Sequence, residues 1–238
     1  MASDVLRGRG ILVTRPREQA AGLARLIEHT GGRAILLPAI EIEDLPPPPA
    51  LEELASYDLA IFVSPTAASK VMARLSAWPR RVQAAAIGGG TQRELERHGV
   101  TKVIAPRAGA DSEALLEELR DVPGKRIVIF RGEGGRELLG EALRLRGSRV
   151  EYAECYRRKR PARASSFEKP DAVTVSSAQG LANLFEMLDP AMLRSTPLFV
   201  PHPRIAGEAR ARGVREVLVA GPADEQMLDA LVAYFRTP

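Results

Sequence analysis

Two serines with the same local context, Ser64 and Ser177, lie 113 residues apart in this 238-residue chain. Each follows an apolar run typical of a buried strand and precedes a stretch with helical spacing. Gly90 and Pro203, also 113 residues apart, precede two further helical stretches. The first N–H groups of a helix lack intrahelical partners and carry the positive end of the helix dipole. These helix starts are therefore candidate anion-binding sites.

The candidate binding residues share a position where a strand leads into a helix. They are Ser64, Thr66, Ala67, Gly90, Thr91, Ser176, Ser177, Ala178, Arg204 and Ile205. Arg15 and Arg131 follow apolar strands at matching places, and arginine's planar fork suits carboxylates and phosphates. Each candidate has a structural alternative, because serines at these places cap helices and arginines form surface ion pairs. Which serine of the 176–177 pair faces a ligand is left open.

The repetition extends beyond these candidates. The run 58–64 resembles 171–177, Arg97 to Val100 resembles Arg212 to Val214, and both copies end in an acidic helix start. A nearly constant offset indicates two copies of one structural unit. Apolar strands alternate with amphipathic helices in each copy, which predicts an α/β fold with parallel sheets covered by helices on both faces. Two such units usually enclose a ligand cleft.

Two segments interrupt the alternation. We predict one strand over 34–42, followed by the polyproline stretch 46–49, which cannot continue a sheet and is expected to be extended. A strand at 150–158 runs into the charged segment 157–160. Both segments are predicted to cross between domains.

Composition narrows the classes of function. The net charge is +4, and arginine supplies most of the positive charge. Only 5% of the residues are aromatic, so an acidic small molecule is favoured as the ligand over a nucleic acid. One cysteine, Cys155, excludes an internal disulfide, and three scattered histidines argue against a metal site. No apolar run approaches membrane-spanning length, and the first residues lack an apolar signal core. We therefore expect a cytoplasmic, monomeric protein without metal, cofactor or membrane contact.

Six motifs, in this order and spacing, resemble the uroporphyrinogen-III synthase family. They are Val13-Thr-Arg-Pro16, Phe62-Val-Ser-Pro-Thr-Ala67, Ile87-Gly-Gly-Gly-Thr91, Arg131-Gly-Glu-Gly-Gly-Arg-Glu-Leu138, Cys155-Tyr-Arg-Arg158 and Val200-Pro-His-Pro-Arg-Ile-Ala206. The resemblance implies two flavodoxin-like domains joined by a two-stranded β ladder, with the ligand cleft between them. It places residues 1–40 and 161–238 in a discontinuous first domain, 50–149 in the second, and 41–49 and 150–160 in the ladder.

The resemblance also implies a reaction. Hydroxymethylbilane, a linear tetrapyrrole with eight carboxylates, is cyclised to uroporphyrinogen III with inversion of the last pyrrole ring and loss of water. Tyr156 matches the family tyrosine proposed to help the hydroxyl leave, and a phenol is a hydrogen-bond donor at neutral pH. Transient contact with the upstream deaminase is a further expectation. The alternative role for Tyr156 is packing in the ladder.

One turn departs from the family pattern. Val200-Pro-His-Pro-Arg204 stands where other members have a Gly-Pro-Thr-Thr-like turn, so hydroxyl contacts are not expected there. The N–H groups of Ile205 and Ala206 are the predicted substitutes, because Pro203 has none. The rival class of function is a two-domain binding or regulatory protein of periplasmic-binding-protein shape, which would bind a ligand without turnover.

Overall fold

The computed structural model describes residues 4–109, 111–161 and 168–236. The chain divides into two compact units. The first contains residues 1–42 and 159–238, and the second contains residues 43–158. Among the described residues, every helix is too short or too polar to cross a membrane.

The secondary structure alternates between strands and helices. The chain begins with β1 (Gly10–Val13), α1 (Arg17–His29) and β2 (Arg33–Leu36). It continues through β3 (Glu41–Asp44), α2 (Pro49–Glu52), β4 (Leu59–Phe62), α3 (Pro65–Met72), β5 (Gln83–Ala86), α4 (Gly89–Arg97), β6 (Val103–Ile104), α5 (Ser112–Glu118), β7 (Arg126–Gly132), α6 (Leu138–Leu145) and β8 (Arg149–Lys159). It ends with β9 (Ala172–Thr174), α7 (Ala178–Met187), α8 (Pro190–Ser195), β10 (Leu198–Val200), α9 (Pro203–Ala211), β11 (Val217–Val219) and α10 (Asp224–Arg236).

Each unit is built on a parallel sheet. The first sheet has the order β11-β10-β9-β1-β2, and the second has the order β6-β5-β4-β7-β8 with β3 added beside β8. Register pairs such as Leu12 with Val173, and Ile61 with Ile129, run parallel. In the first unit this is the 2-1-3-4-5 order of doubly wound folds. The five parallel strands of the second unit are arranged in the same way in space. The first of them in the chain, β4, is however the middle strand of the five, whereas β1 is the second strand from the edge in the first unit. The predicted α/β class with parallel sheets is confirmed.

Buried strands explain the apolar runs in the sequence. Every residue of β1, β4, β9 and β10 is buried, as expected for parallel strands covered on both faces. Helices cover these sheets with one apolar face each. In the second unit, for example, Leu139 and Leu143 of α6 pack with Ile127 and Ile129 of β7 in one cluster.

Three local predictions differ from the structure. The strand predicted over 34–42 divides into β2 and β3, because Pro38 in the intervening segment has no N–H for a ladder. The polyproline stretch is not extended throughout, because Pro49 begins the short helix α2, where a missing N–H costs nothing. The helix α8, capped by Asp189, lies where no helix was predicted.

The packing of α6 gives a test of the core. Leu143 is fully buried, whereas Leu145 on the same helix is 90% exposed. Leu143→Ala is expected to lower the free energy of unfolding by about 2–5 kcal/mol, since it removes buried methyl groups and leaves a cavity. Leu145→Ala is the matched control and should change it by less than about 0.5 kcal/mol. Urea unfolding followed by circular dichroism measures both, and equal effects would contradict the packing described.

Candidate functional site

A crevice forms in each sheet where the chain departs in opposite directions from two neighbouring strands. In the second unit these strands are β4 and β7: β4 leads to β5 on one side, and β7 leads to β8 on the other. In the first unit β9 and β1 have the same relation. Ligands of open α/β sheets bind at this point, outside the carboxyl ends of the strands.

The crevice of the second unit is a pocket of about 320 Å³. This volume is at the lower end of the range for small-molecule sites. The pocket brings together three predicted site residues that are distant in sequence, Ser64, Arg131 and Tyr156. Its polar lining also includes Asp111, Ser112, Glu133, Arg136, Tyr152 and Arg158.

The phenol of Tyr156 is held by two polar side chains. Its oxygen lies 3.0 Å from the Ser64 hydroxyl, and an Nη of Arg158 donates to it at 3.4 Å. Ser64 Oγ also accepts the N–H of Ala67 at 3.0 Å, as the N-cap of α3. A hydroxyl has one hydrogen to donate. If Ser64 gives that hydrogen to Tyr156, the phenolic hydrogen of Tyr156 is available to a ligand.

A β-bulge sets the position of Tyr156. The register of β7 and β8 pairs Arg131 with Glu154 but Gly132 with Tyr156, so Cys155 is the extra residue. Bulges redirect side chains and occur next to active sites. Gly132 is also needed here, because a Cβ at this position would lie 2.7 Å from Tyr156 Cζ. The aromatic ring therefore packs against the bare backbone of the neighbouring strand.

Arg131 forms most of its hydrogen bonds with the loop that follows β7. One Nη donates to the carbonyls of Gly135 and Arg136 at 2.9 and 3.4 Å, and the other contacts Glu154 at 3.2 Å. The guanidinium lies 4.0 Å from the centre of the Tyr152 ring. Its Nε is buried and has no hydrogen-bond partner among the described residues. Arg131 thus shapes the loop, and its Nε–H is not used by any of these contacts.

The other candidates of the second unit lie at two adjacent helix starts. Thr66 and Ala67 are in the first turn of α3, and the Ala67 N–H is already used by the Ser64 cap. Gly90 and Thr91 are in the first turn of α4. A Cβ on Gly90 would lie 3.7 Å from Pro65 of α3, so the two helix starts are in contact distance. None of these four residues lines the 320 Å³ pocket.

The first unit has a pocket of about 230 Å³ at the equivalent crevice. It is lined by Arg15, Gln19, Ser176, Pro201, His202 and Pro222. Arg15 forms an ion pair with Asp224 and donates to the carbonyl of Pro222 at 3.4 Å. A serine and an arginine therefore line the crevice in each unit.

The two neighbouring serines have different roles. Ser177 caps α7 and accepts the N–H of Gly180 at 3.0 Å, which repeats the contact between Ser64 and Ala67. Ser176 lines the pocket instead. Ala178 is in the first turn of α7 and does not line the pocket.

The turn before α9 differs from expectation. The N–H groups of Ile205 and Ala206 donate to the carbonyl of His202 at 3.1 and 3.2 Å, so both predicted donors are already occupied. Arg204 is exposed and pairs with Glu208 one turn along the helix at 2.9 Å. Instead of these residues, His202 lines the pocket.

Several pocket residues were not among the sequence candidates. Tyr152 and Arg158 lie on β8, four and two residues from Tyr156, and Gln19 lies on α1. Side chains alternate between the two faces of a strand, so the sequence predicts that Tyr152 and Tyr156 of β8 face the same side. The bulge at Cys155 lies between them and interrupts this alternation. From the sequence, Arg158 is predicted only as part of the charged segment 157–160 that crosses between domains. In the described parts of the chain, no group of three His, Cys, Asp or Glu side chains could hold a metal ion.

The fold defines an α/β protein built from duplicated doubly wound units, with a serine and an arginine lining the crevice of each unit. A family model described as uroporphyrinogen-III synthase HemD matches residues 21–232. The chain belongs to the uroporphyrinogen-III synthase family, whose members are cyclising lyases of tetrapyrrole biosynthesis.

Named relatives agree with this assignment. The uroporphyrinogen-III synthases of Escherichia coli K12 and Salmonella typhimurium LT2 are each 32% identical over 240 residues, covering 92% of this chain and 97% of theirs. The solved uroporphyrinogen-III synthetase of Helicobacter pylori 26695 has a TM-score of 0.65 at 16% identity, over 95% of this chain and 99% of that one. A mutant uroporphyrinogen III synthase from Thermus thermophilus gives 0.62 at 19% identity, over 97% and 100%. These two structures support the fold.

Burial of the bulge residue predicts low thiol reactivity. Cys155 is fully buried, and this burial raises the pKa of its thiol to about 12. Since the thiolate is the reactive form, labelling by an aromatic disulfide at pH 8 should be about a thousandfold slower in the folded protein than in guanidinium. Absorbance of the released thiolate measures both rates. Similar rates in the two states would show that Cys155 is accessible.

Proposed function

We propose that this chain converts hydroxymethylbilane into uroporphyrinogen III, closing the macrocycle with inversion of the last pyrrole ring and loss of water. Family membership supports this reaction. The observation that carries the residue assignment is the contact of Tyr156 with Ser64 and Arg158 at the strand crevice. We propose Tyr156 as the catalytic residue for the loss of water.

The first step requires a proton on the leaving hydroxyl. The nitrogen lone pair of the terminal pyrrole supplies electrons as the carbon–oxygen bond breaks, and the electron pair of that bond goes to oxygen. The Tyr156 phenol donates its proton to this oxygen, so water leaves and an azafulvene-like intermediate remains. General acid assistance of this kind suits a leaving group that departs poorly as hydroxide.

The neighbours of Tyr156 support this role through the charge that develops on it. When the phenol gives up its proton, its oxygen becomes negative, and the Arg158 guanidinium and the Ser64 hydroxyl donate to it. Hydrogen bonds to a charged group are about twice as strong as neutral ones. The proton released when the new ring loses its hydrogen restores the phenol. In the overall reaction, one bilane is converted into one macrocycle and one molecule of water.

Carboxylate binding is assigned to the polar lining of both crevices. Buried carboxylates must be paired or hydrogen-bonded, and this substrate has eight of them. We propose that Ser64, Arg131 and Arg158 in one pocket, and Arg15 and Ser176 in the other, supply donors. The helix starts at Thr66, Ala67, Gly90, Thr91, Ser177 and Ala178 stay candidates. Arg204 and Ile205 are weaker candidates, because Glu208 and the His202 carbonyl occupy their donors.

Control of the isomer is proposed to come from positioning. The azafulvene-like intermediate reacts readily unaided, but it then closes to the uninverted isomer I. Holding the chain so that the spiro route is nearest changes the product without a strong acid or base. This instability of the bilane also motivates the proposal of transient contact with the upstream deaminase. We further propose that the chain acts as a monomer in the cytoplasm.

The product isomer tests the reaction. Hydroxymethylbilane is generated with its deaminase, this protein is added, and the oxidised uroporphyrins are separated by chromatography. We expect predominantly isomer III, because the enzyme directs closure through the inverted ring, and isomer I in a blank without the protein. Isomer I in both samples would contradict the proposal and favour a binding protein that does not turn over its ligand.

Replacement of Tyr156 tests the catalytic assignment. Tyr156→Phe removes the phenolic proton and should lower turnover by about a hundredfold, at the lower end of the range for general acid catalysis. Tyr152→Phe is the matched control, because Tyr152 lines the same pocket but donates its hydroxyl hydrogen to the Glu137 carbonyl at 2.8 Å. It should retain turnover within a few-fold.

Stability is measured on the same two variants. The free energy of unfolding of Tyr156→Phe should fall by no more than about 1–2 kcal/mol, since only hydrogen bonds are lost. Wild-type turnover in Tyr156→Phe would leave Tyr156 as a packing residue. Equal losses of turnover in both tyrosine variants would indicate a general effect on the pocket.

A further inference from the structure

A second cavity, of about 810 Å³, lies at the opposite edge of the same sheet. It is lined by residues at or before the starts of β4, β5, β6 and β7, including Asp58, Gln83, Lys102 and Lys125. Trp78, Arg80, Arg81 and Val82, from the segment before β5, also line it. The pocket that contains Tyr156 is at the carboxyl ends of strands in this sheet. The two cavities share no lining residue, so the larger one is separate from the proposed active site.

The larger cavity is strongly basic. Among its described lining residues are four cationic side chains, Arg80, Arg81, Lys102 and Lys125, against a single carboxylate, Asp58. That carboxylate accepts the backbone N–H of Arg126 at 2.8 Å. Lys125 pairs with Asp121, whose side chain is 95% exposed, at 3.3 Å.

The other three cations have no counter-charge in the described part of the chain. Within residues 4–109, 111–161 and 168–236, Arg80, Arg81 and Lys102 have no ion pair or side-chain hydrogen bond. Like charges that share one concavity repel each other, and a bound anion relieves that repulsion. The cavity is therefore suited to several negative charges on one ligand.

Trp78 adds an aromatic surface to the same cavity. Its indole N–H donates to the carbonyl of Val82 at 2.9 Å, and its ring lies 5.9 Å from that of Phe62. These contacts fix the ring while it stays partly exposed and lines the cavity. A fixed, partly exposed indole is a stacking platform for a flat heteroaromatic ring, and base–aromatic stacking contributes measurably to nucleotide binding.

We propose that this cavity binds a nucleoside polyphosphate, with its base on Trp78 and its phosphates between Arg80, Arg81 and Lys102. The volume lies within the usual range of small-molecule sites, about 300–1,000 Å³. The cavity shares no lining residue with the pocket that contains Tyr156, and its combination of cations with an indole ring supports a ligand other than the tetrapyrrole. This site is independent of the proposed reaction, and each can be tested without the other.

Trp78 provides the measurement, since it is the single tryptophan of the chain. Magnesium-free ATP is titrated into the protein at about 0.15 M salt, the ionic strength at which surface charges are largely screened beyond about 8 Å. Tryptophan fluorescence and calorimetry both follow binding. We expect saturable quenching and binding heat. Absence of both signals at millimolar ATP would overturn the proposal.

Charge variants test the assigned residues. The triple variant Arg80→Gln, Arg81→Gln, Lys102→Gln should bind ATP at least about tenfold more weakly, because several charge-assisted contacts are lost. The control carries the same change at three exposed cations of the first unit, Arg7→Gln, Lys169→Gln and Arg215→Gln, and should bind ATP as the unchanged protein does. Equal weakening in both would mean that ATP responds only to net charge, which contradicts the site. Formation of isomer III should be unaltered in both variants.

The ring contact is tested separately by calorimetry. Trp78→Leu should weaken binding of ATP several-fold and leave binding of inorganic tripolyphosphate unchanged, since only ATP has a base to stack. Equal affinity of the unchanged protein for ATP and tripolyphosphate would remove the role of Trp78 and overturn the nucleoside assignment. Tight binding of a single-stranded oligonucleotide with no binding of ATP would also overturn it, in favour of a nucleic-acid surface.

Discussion

The divergence of the chain on either side of two neighbouring parallel strands is the constraint on which the site depends. Where one strand leads left and the next leads right, no helix can cover the space between their carboxyl ends. The structure has this arrangement at β4 with β7 and at β9 with β1. Side chains that follow these strands must face an open crevice, and in both units a serine and an arginine do so. The sheet order therefore determines where a ligand can bind before any particular side chain is considered.

Features set by local sequence could be predicted. A serine between an apolar run and a helical stretch can cap that helix whatever surrounds it, and Ser64 and Ser177 both do. Runs such as 59–62 are buried on both faces, so they identify parallel strands without knowledge of their neighbours. The repeat then indicated that the two sets of strands belong to equivalent sheets. In these cases the physical cause lies within about ten residues of chain.

Features that depend on pairing between distant strands could not be predicted. The bulge at Cys155 exists only because β8 is one residue out of step with β7, and no property of Cys155 itself indicates it. The same pairing places Tyr156 over Gly132 and brings Arg158 to the phenol. At the turn before α9, the donors of Ile205 and Ala206 looked available because the sequence does not show that the His202 carbonyl accepts both. Competition for donors within a turn is decided by its geometry.

The shared sheet order of the two units also describes how the chain is duplicated. In chain order, and apart from β3, the strands β1 and β2 are followed by β4, β5 and β6, and β7 and β8 are followed by β9, β10 and β11. Leaving β3 aside, each half of the sequence therefore has the strands of one five-stranded unit, yet each sheet takes two of these strands from one half and three from the other. This is a segment exchange within a single chain, comparable to domain swapping between two molecules. Neither half contains a whole sheet, so the halves depend on each other to fold even though they are copies of the same pattern.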